Sequence, residues 1–320
     1  MPNGSLVLAV TVAGMFALSL PVALAQTHSE VRSTGDVHMT DTMPTMSAAT
    51  LKVPGATLYY EVRGSGPTLL VIPGGPQDAG VFSDLAQRLA DRYRVVTFDP
   101  RGNSRSPFDG APVELDMMVQ ADDAAALIRA VGNGPAHVFG TSGGAQIGLA
   151  LAARHPDLVK SVLAHEPPSM MLMDDPSAAL AADKVIYDTY RRDGVDAAMG
   201  AFFGMNGLED GPSEEMPAEM EMSPEDAETF GRVSGNFEYW LAHGMMPLGH
   251  YRPDVEALRP GQPPIVVAIG EGSAGQPIEA MGQALARELG IEPVAFPGDH
   301  MGFEAAPAEF AAAVHRAFTR

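Results

Sequence analysis

Gly140-Thr141-Ser142-Gly143-Gly144 places a serine between glycines at Gly-x-Ser-x-Gly spacing. The apolar run Val138-Phe139 precedes it and an alanine- and leucine-rich stretch to Arg154 follows. Strand, tight turn and helix in that order make a nucleophile elbow. The turn forces an awkward backbone angle on Ser142, and glycines at 140 and 144 let strand and helix approach closely. The serine oxygen then stands at the strand's C-terminal end, beside the N–H groups of the helix start. A free hydroxyl is a poor nucleophile and needs a base. Of nine histidines, His300 follows the last strand in a Gly-Asp-His-x-Gly loop. His155 and His315 fall on helices, His137 opens a strand, and His243 and His250 lie in a less regular region. His28 and His38 sit near the N-terminus. Ser142 with His300 as its base is acyl-transfer chemistry. An oxyanion hole needs two convergent backbone donors. Gly143 N–H follows the nucleophile, and Gly75 in Pro73-Gly74-Gly75-Pro76 offers the second, since Pro76 has no N–H.

These residues can meet only if the elements between them bring one edge of a sheet together. Thr68 to Ile72, Arg94 to Phe98, Val159 to Ala164 and Pro264 to Ile269 are short apolar strands without polar alternation. Helical stretches separate them, at Val81 to Arg92, Leu115 to Val131, Ala145 to Arg154 and Pro277 to Leu289. That order predicts a parallel sheet covered on both faces, with sites built where the strands end. Ala56 to Val62 opens the sheet, Glu292 to Phe296 closes it, and Ala306 to Phe318 is a final helix. The alternation stops between Pro167 and Pro260, where helices at Ala178 to Arg192 and Pro224 to Leu241 are separated by Gly and Pro. We read 167–260 as a helical cap inserted over the strand ends. Its methionines, Met170, Met173, Met205, Met216 and Met245 among them, suit an irregular apolar ligand and ordinary core packing equally. The acidic run Glu209 to Glu228 reads as solvated surface.

The chain has 320 residues with 20 basic and 40 acidic side chains, a formal charge of −20. A phosphate backbone would be repelled, which argues against nucleic acid, and anionic membranes are disfavoured likewise. There is no cysteine, so disulfides, thiolate metal sites and a cysteine nucleophile are excluded. Leu6 to Leu20 is mostly apolar and Ala23-Leu24-Ala25 is a small-x-small cleavage site, so residues 1–25 read as an export signal, although the n-region has no Lys or Arg. The expected location is periplasmic or extracellular, with no lasting membrane association once the signal is cleaved. Residues 26–50 read as a disordered leader. Its soft ligands His38, Met39, Met43 and Met46 could hold copper(I), but a solvated tail is the better reading.

With the parts in this order, the chain from about Leu51 resembles the α/β-hydrolase family. The resemblance implies a mostly parallel eight-stranded sheet with helices on both faces. The core would be 51–166 and 261–320, with the cap after the sixth strand. Asp99-Pro100-Arg101-Gly102 resembles that family's loop after the fourth strand, where Asp99 and Arg101 are structural. Within the family the chain is most similar to zearalenone-lactone hydrolases, at Leu58 to Gly66, Val95 to Ser106, Gly140 to Gly144, Ala164 to Pro167 and Pro297 to His300. That similarity implies hydrolysis of a small-molecule carboxylic ester or lactone, without a cofactor or metal, through a Ser–His–Glu triad and an acyl-enzyme. It also places Trp240 where those enzymes pack a tryptophan on substrate. The family's usual acid position, after Pro264 to Ile269, is Ser273 here, and Glu271 is nearby. Glu166 ends the strand beside the elbow strand, with Pro167 and Pro168 to stiffen it, and is favoured over Glu271 as the triad acid.

Three other activities fit the same residues. Gly74-Gly75-Pro76 and an acid-rich cap also suit a proline-iminopeptidase-like aminopeptidase. A slow or non-catalytic small-molecule receptor can keep an intact triad. A cofactor-free haloperoxidase uses the same triad. The elbow serine argues against epoxide hydrolase or dehalogenase chemistry, which in this fold uses an aspartate.

Overall fold

The computed structural model describes residues 45–132, 134–206 and 223–319. Eight strands form one sheet: β1 (Ser47–Val53), β2 (Ala56–Arg63), β3 (Thr68–Ile72), β4 (Arg94–Phe98), β5 (Ala136–Thr141), β6 (Val159–His165), β7 (Ile265–Gly270) and β8 (Val294–Phe296). Their spatial order is β1-β2-β4-β3-β5-β6-β7-β8. β2 runs antiparallel to β1 and β4, and every pairing from β4 to β8 is parallel.

β3 shows why its sequence is continuously apolar. All five residues are buried, and successive side chains leave on opposite faces of the sheet. Leu70 and Ile72 enter one core, with α2 (Met117–Val131), α3 (Gly143–Arg154) and α10 (Pro277–Leu289). Leu69 and Val71 enter the other, with α1 (Ser83–Leu89) and α12 (Pro307–Phe318). Such a strand has no solvent face on which a polar residue could sit.

Between β6 and β7 lie α4 (Ser177–Asp193), α5 (Val195–Met205), α6 (Pro224–Gly235), α7 (Phe237–Tyr239), a π-turn at Trp240–Gly244, α8 (Met245–Gly249) and α9 (Val255–Leu258). α4, α5, the π-turn and the start of α8 share a small core in which Trp240, Ile186, Met199 and Met245 are buried, while Leu248 of α8 and Val255 and Leu258 of α9 join the main core. The single helix expected from Pro224 to Leu241 breaks at Asn236. That side chain turns away to donate to Pro76 O at 2.8 Å, and it accepts from Ser104 N–H at 2.7 Å. A short helix α11 (Gly302–Ala305) follows β8. No helix among the described residues is long and apolar enough to cross a membrane.

The leader expected over 26–50 overlaps β1 by four residues. Ser47 to Thr50 pair with Val62 to Tyr59 in regular antiparallel register. They are exposed, so no hydrophobic pattern marks them, and the partner strand alone makes them a strand. The rest of the leader and the export signal, with His38, Met39 and Met43, lie outside the described residues, while Met46 is exposed. A chain beginning at Thr45 is expected to melt with the full chain. One beginning at Leu51 loses the first four pairs of β1 and melts several degrees lower, at roughly 2–4 °C per kcal/mol lost. Equal melting temperatures for the two truncations would refute a structural role for Ser47 to Thr50.

Candidate active site

Three non-glycine residues among those described have positive φ: Ser104 (46°), Ser142 (51°) and Glu166 (44°). That backbone region costs about 1–3 kcal/mol for such residues and persists only where the surroundings fix it. At Ser142 the surroundings are tight. A methyl on Gly140 would lie 2.3 Å from Gly144 O, and one on Gly144 would lie 2.1 Å from Ile72 O. β5, the turn and α3 can pack this closely only without those Cβ atoms. Ser142 N–H donates to His165 O at 2.9 Å, and Ser142 O accepts from Ala145 N–H at 3.0 Å. The turn thus forms the first step of the helix, which begins at Gly143 rather than at Ala145.

Glu166 follows β6 directly and is fully buried. Its N–H donates to Ala268 O at 2.9 Å, and its Oε1 accepts from Gly270 N–H at 2.8 Å. Its Oε2 lies 2.6 Å from His300 Nδ1. Burial pushes this carboxyl up. The His300 hydrogen bond, the charges of His165 and His300 and the nearby Ser273 hydroxyl outweigh it and hold the pKa at about 2. An ionised carboxylate can only accept, so Nδ1 of His300 carries the proton and Nε2 is left as a base. Glu271 is exposed, whereas Ser273, two residues on, is buried.

Ser142 and His300 line one cavity of about 260 Å³, together with Gly75 and Trp240. No hydrogen bond between Ser142 and His300 is among those described; such contacts are often loose until substrate binds. The Gly75 loop packs against the elbow, for a methyl on Gly74 would lie 2.9 Å from Ser142 Cβ. Side-chain amides hold this loop in shape. Gln77 accepts from Gly74 N–H at 3.1 Å, and Asn103 donates to Gly75 O at 3.2 Å and Gln77 O at 3.0 Å. Gly143 is the first residue of α3, so its N–H has no carbonyl to meet inside the helix. Trp240 is buried in the π-turn, edge-on to Phe202 at 4.7 Å between ring centroids. Its Nε1 has no described partner and faces the Gly75 loop. Met170, Met173, Met205 and Met245 of the cap line the cavity with Met281 of α10. Met216, Met220, Met222 and most of the acidic run lie outside the described residues.

Asp99 and Arg101 face away from this chemistry. Asp99 accepts from Ala79 N–H at 3.0 Å and from Arg105, while Arg101 forms a buried pair with Asp123. Two residues near the site carry no motif in the sequence. His165 is fully buried behind the site, its ring stacked 6.5 Å from that of His300. Asp183 lines the cavity from α4. The one signal for Asp183 is its place with Ala179, Ala182 and Ile186 on a single helical face.

Residues 67–229 match the family model described as the alpha/beta hydrolase fold. The chain is 33% identical over 276 residues to an uncharacterised hydrolase of Bacillus subtilis, YraK, a match spanning 85% of this chain and 96% of that protein. The chain is a member of the α/β-hydrolase family and a hydrolase of that fold. It is also 34% identical over 144 residues to a zearalenone hydrolase of Bionectria ochroleuca, covering 43% of this chain and 54% of that protein. A thermophilic esterase structure from Thermogutta terrifontis shares the fold, with a TM-score of 0.65 and 21% identity over 86% of this chain and 98% of the other.

Burial also sets how the site responds to acid. It pushes the His165 imidazole down to about 4; the Glu166 charge opposes this and the His300 charge adds to it. In the unfolded chain the imidazole titrates near 6.5. Between those values the unfolded state binds more protons, so stability falls as pH falls from about 6.5 to 4. Glu166 adds a second loss, from its unfolded value of 4.5 down to about 2. His165→Gln should therefore lower the slope of melting temperature against pH between 6.5 and 4. An unchanged slope in scanning calorimetry would remove His165 from the account.

Proposed function

We propose that this protein hydrolyses carboxylic esters or lactones through Ser142, His300 and Glu166. The observation that carries the reading is the 2.6 Å contact of Glu166 with His300 Nδ1, behind a cavity that His300 and Ser142, on its strained elbow, both line. His300 Nε2 takes the proton from Ser142 Oγ as it attacks the carbonyl carbon. Gly75 and Gly143 N–H groups hold the oxyanion. The tetrahedral intermediate collapses to an acyl-enzyme, and His300 gives its proton to the leaving alcohol. His300 then draws a proton from water, which attacks the acyl carbon, and Ser142 recovers its proton as the acid leaves. Glu166 stays ionised throughout and steadies the imidazolium. Methionine and tryptophan walls favour an acyl or alcohol group with a sizeable apolar body. The similarities to a zearalenone hydrolase and an esterase support this substrate class. Export to the periplasm or medium is proposed on the N-terminal sequence.

Ser142→Ala is expected to lower kcat by about 10⁴-fold or more while the fold is kept. Glu166→Gln should cost orders of magnitude in kcat, and Glu271→Gln almost nothing. Intact mass after fluorophosphonate treatment reads the nucleophile directly. Label on another residue, or loss of activity with Glu271→Gln alone, would overturn the assignment. Trp240→Ala should raise KM for bulky aromatic esters more than for acetate esters; equal effects would make Trp240 cap core only.

A further inference from the structure

Among the described residues that line the cavity, Asp183 is the one carboxylate, and the mechanism does not use it. It projects from the middle of α4, on the face that Ala179, Ala182 and Ile186 give to the same cavity. Its place is made by Gly249 in α8. A methyl there would lie 2.6 Å from Asp183 Oδ2 and 3.4 Å from Met170 Cε. The carboxylate thus sits against apolar walls. Neighbouring α4 acids and bases behave otherwise: Asp188 is exposed and paired with Lys184 at 2.6 Å. No described hydrogen bond or ion pair reaches the Asp183 carboxylate.

A carboxylate in apolar surroundings without a donor costs free energy, and substituting an apolar residue of similar size would relieve it. Burial alone, with no charge partner, pushes the Asp183 carboxyl up to about 6. Asp183 is half-buried, so water reaches its carboxylate in the free protein; a ligand filling the cavity would displace that water and must supply a donor in its place. The rest of the lining sets the terms for that ligand, since Met170, Ile186, Phe202 and Met281 ask for hydrocarbon.

The geometry points to Asp183 as a specificity residue that selects esters or lactones whose apolar body carries a hydrogen-bond donor, a hydroxyl or an ammonium, remote from the scissile carbonyl. The inference takes from the proposed hydrolysis only the identity of the reacting end. Recognition by a charged acceptor is strong because the alternative, a methyl in the same place, leaves the carboxylate desolvated and unpaired. A site built to bond a polar substrate group can reject the analogue lacking it by up to about 10⁴–10⁵-fold, far beyond what one methylene decides in an apolar pocket.

The test uses two ester series on the full chain, p-nitrophenyl esters with a variable acyl chain and acetates with a variable alcohol. One carries the variable group at the end of the acyl chain, as heptanoate, 6-hydroxyhexanoate and 6-aminohexanoate. The other carries the same three ends on the alcohol chain. In at least one series the wild type should favour a donor-bearing ester over its methyl isostere by about 10-fold or more in kcat/KM. Asp183→Leu should abolish that preference and keep or raise the melting temperature. Asp183→Asn should keep a hydroxyl preference and lose an ammonium one, which separates the two donors. The corresponding amides, bound to Ser142→Ala and to Ser142→Ala with Asp183→Leu, give the same comparison by calorimetry without turnover. If no ester is cleaved but amide binding still depends on Asp183, the hydrolysis reading fails and this one stands. Equal handling of donor and methyl compounds in both series, or a preference that survives Asp183→Leu, overturns the inference.

Discussion

A buried carboxylate that is both ionised and fully bonded is stable; one that is not takes a proton or is better lost. Glu166 meets both conditions, and much of the site follows from how it does so. One oxygen takes the Gly270 N–H and the other takes His300. The two partners come from the ends of β7 and the loop after β8, so the carboxylate pins three neighbouring strand ends to one another. The positive φ of Glu166 is the cost of turning the side chain from the strand direction toward His300. The backbone bond from Glu166 N–H to Ala268 O shows that β6 and β7 stay paired across the turn.

The second constraint is distance. Ser142 can be lifted above β5 only if α3 begins almost in contact with β3, and the missing Cβ atoms of Gly140 and Gly144 allow that. The same closeness brings the Gly75 loop against the serine. This loop carries no regular secondary structure, so its shape is set by Gln77 and Asn103 in place of a ladder. Donors held in this way, as the proposed oxyanion hole requires, do not have to be rearranged as charge develops.

How far the sequence was legible follows from which side chains had a local reason to be where they are. β3 and β4 could be bounded to the residue because continuous apolar runs stop at Pro, Gly or Asp. Ser142, His300 and Glu166 stand out because each follows a strand on the same edge. Ser47 to Thr50 did not, because an exposed edge strand has no pattern of its own. The break of the α6 helix at Asn236 was equally hidden, since the residues that bond Asn236 are Pro76 and Ser104, far away in sequence. Glu271 and Ser273 show the same limit at closer range: which of two turn residues faces inward depends on the tight turn over Glu271–Ser273. Asp183 was invisible for a different reason. Acidic residues on helices are usually solvated, and only the packing of α8 turns this one inward.

The cap and the Gly75 loop are tied together. Asn236 donates to Pro76 O, one residue past Gly75. Arg232 of α6 reaches Asp78 at 2.7 Å, and Asp78 is fully buried while also accepting from Gly80 N–H. Removing one partner of such a pair costs about 3–5 kcal/mol, because the other charge is left behind in a dry place. Trp240 follows four residues after Asn236, and the π-turn widens the helix there, placing the indole against Gly75. A shift of α6 would therefore move the wall of the cavity and strain the donor loop together. On the far side Leu248 packs over Gly143, where a methyl would meet its Cδ1 at 2.4 Å. Gly75 and Gly143, the proposed oxyanion donors, thus both lie under cap side chains.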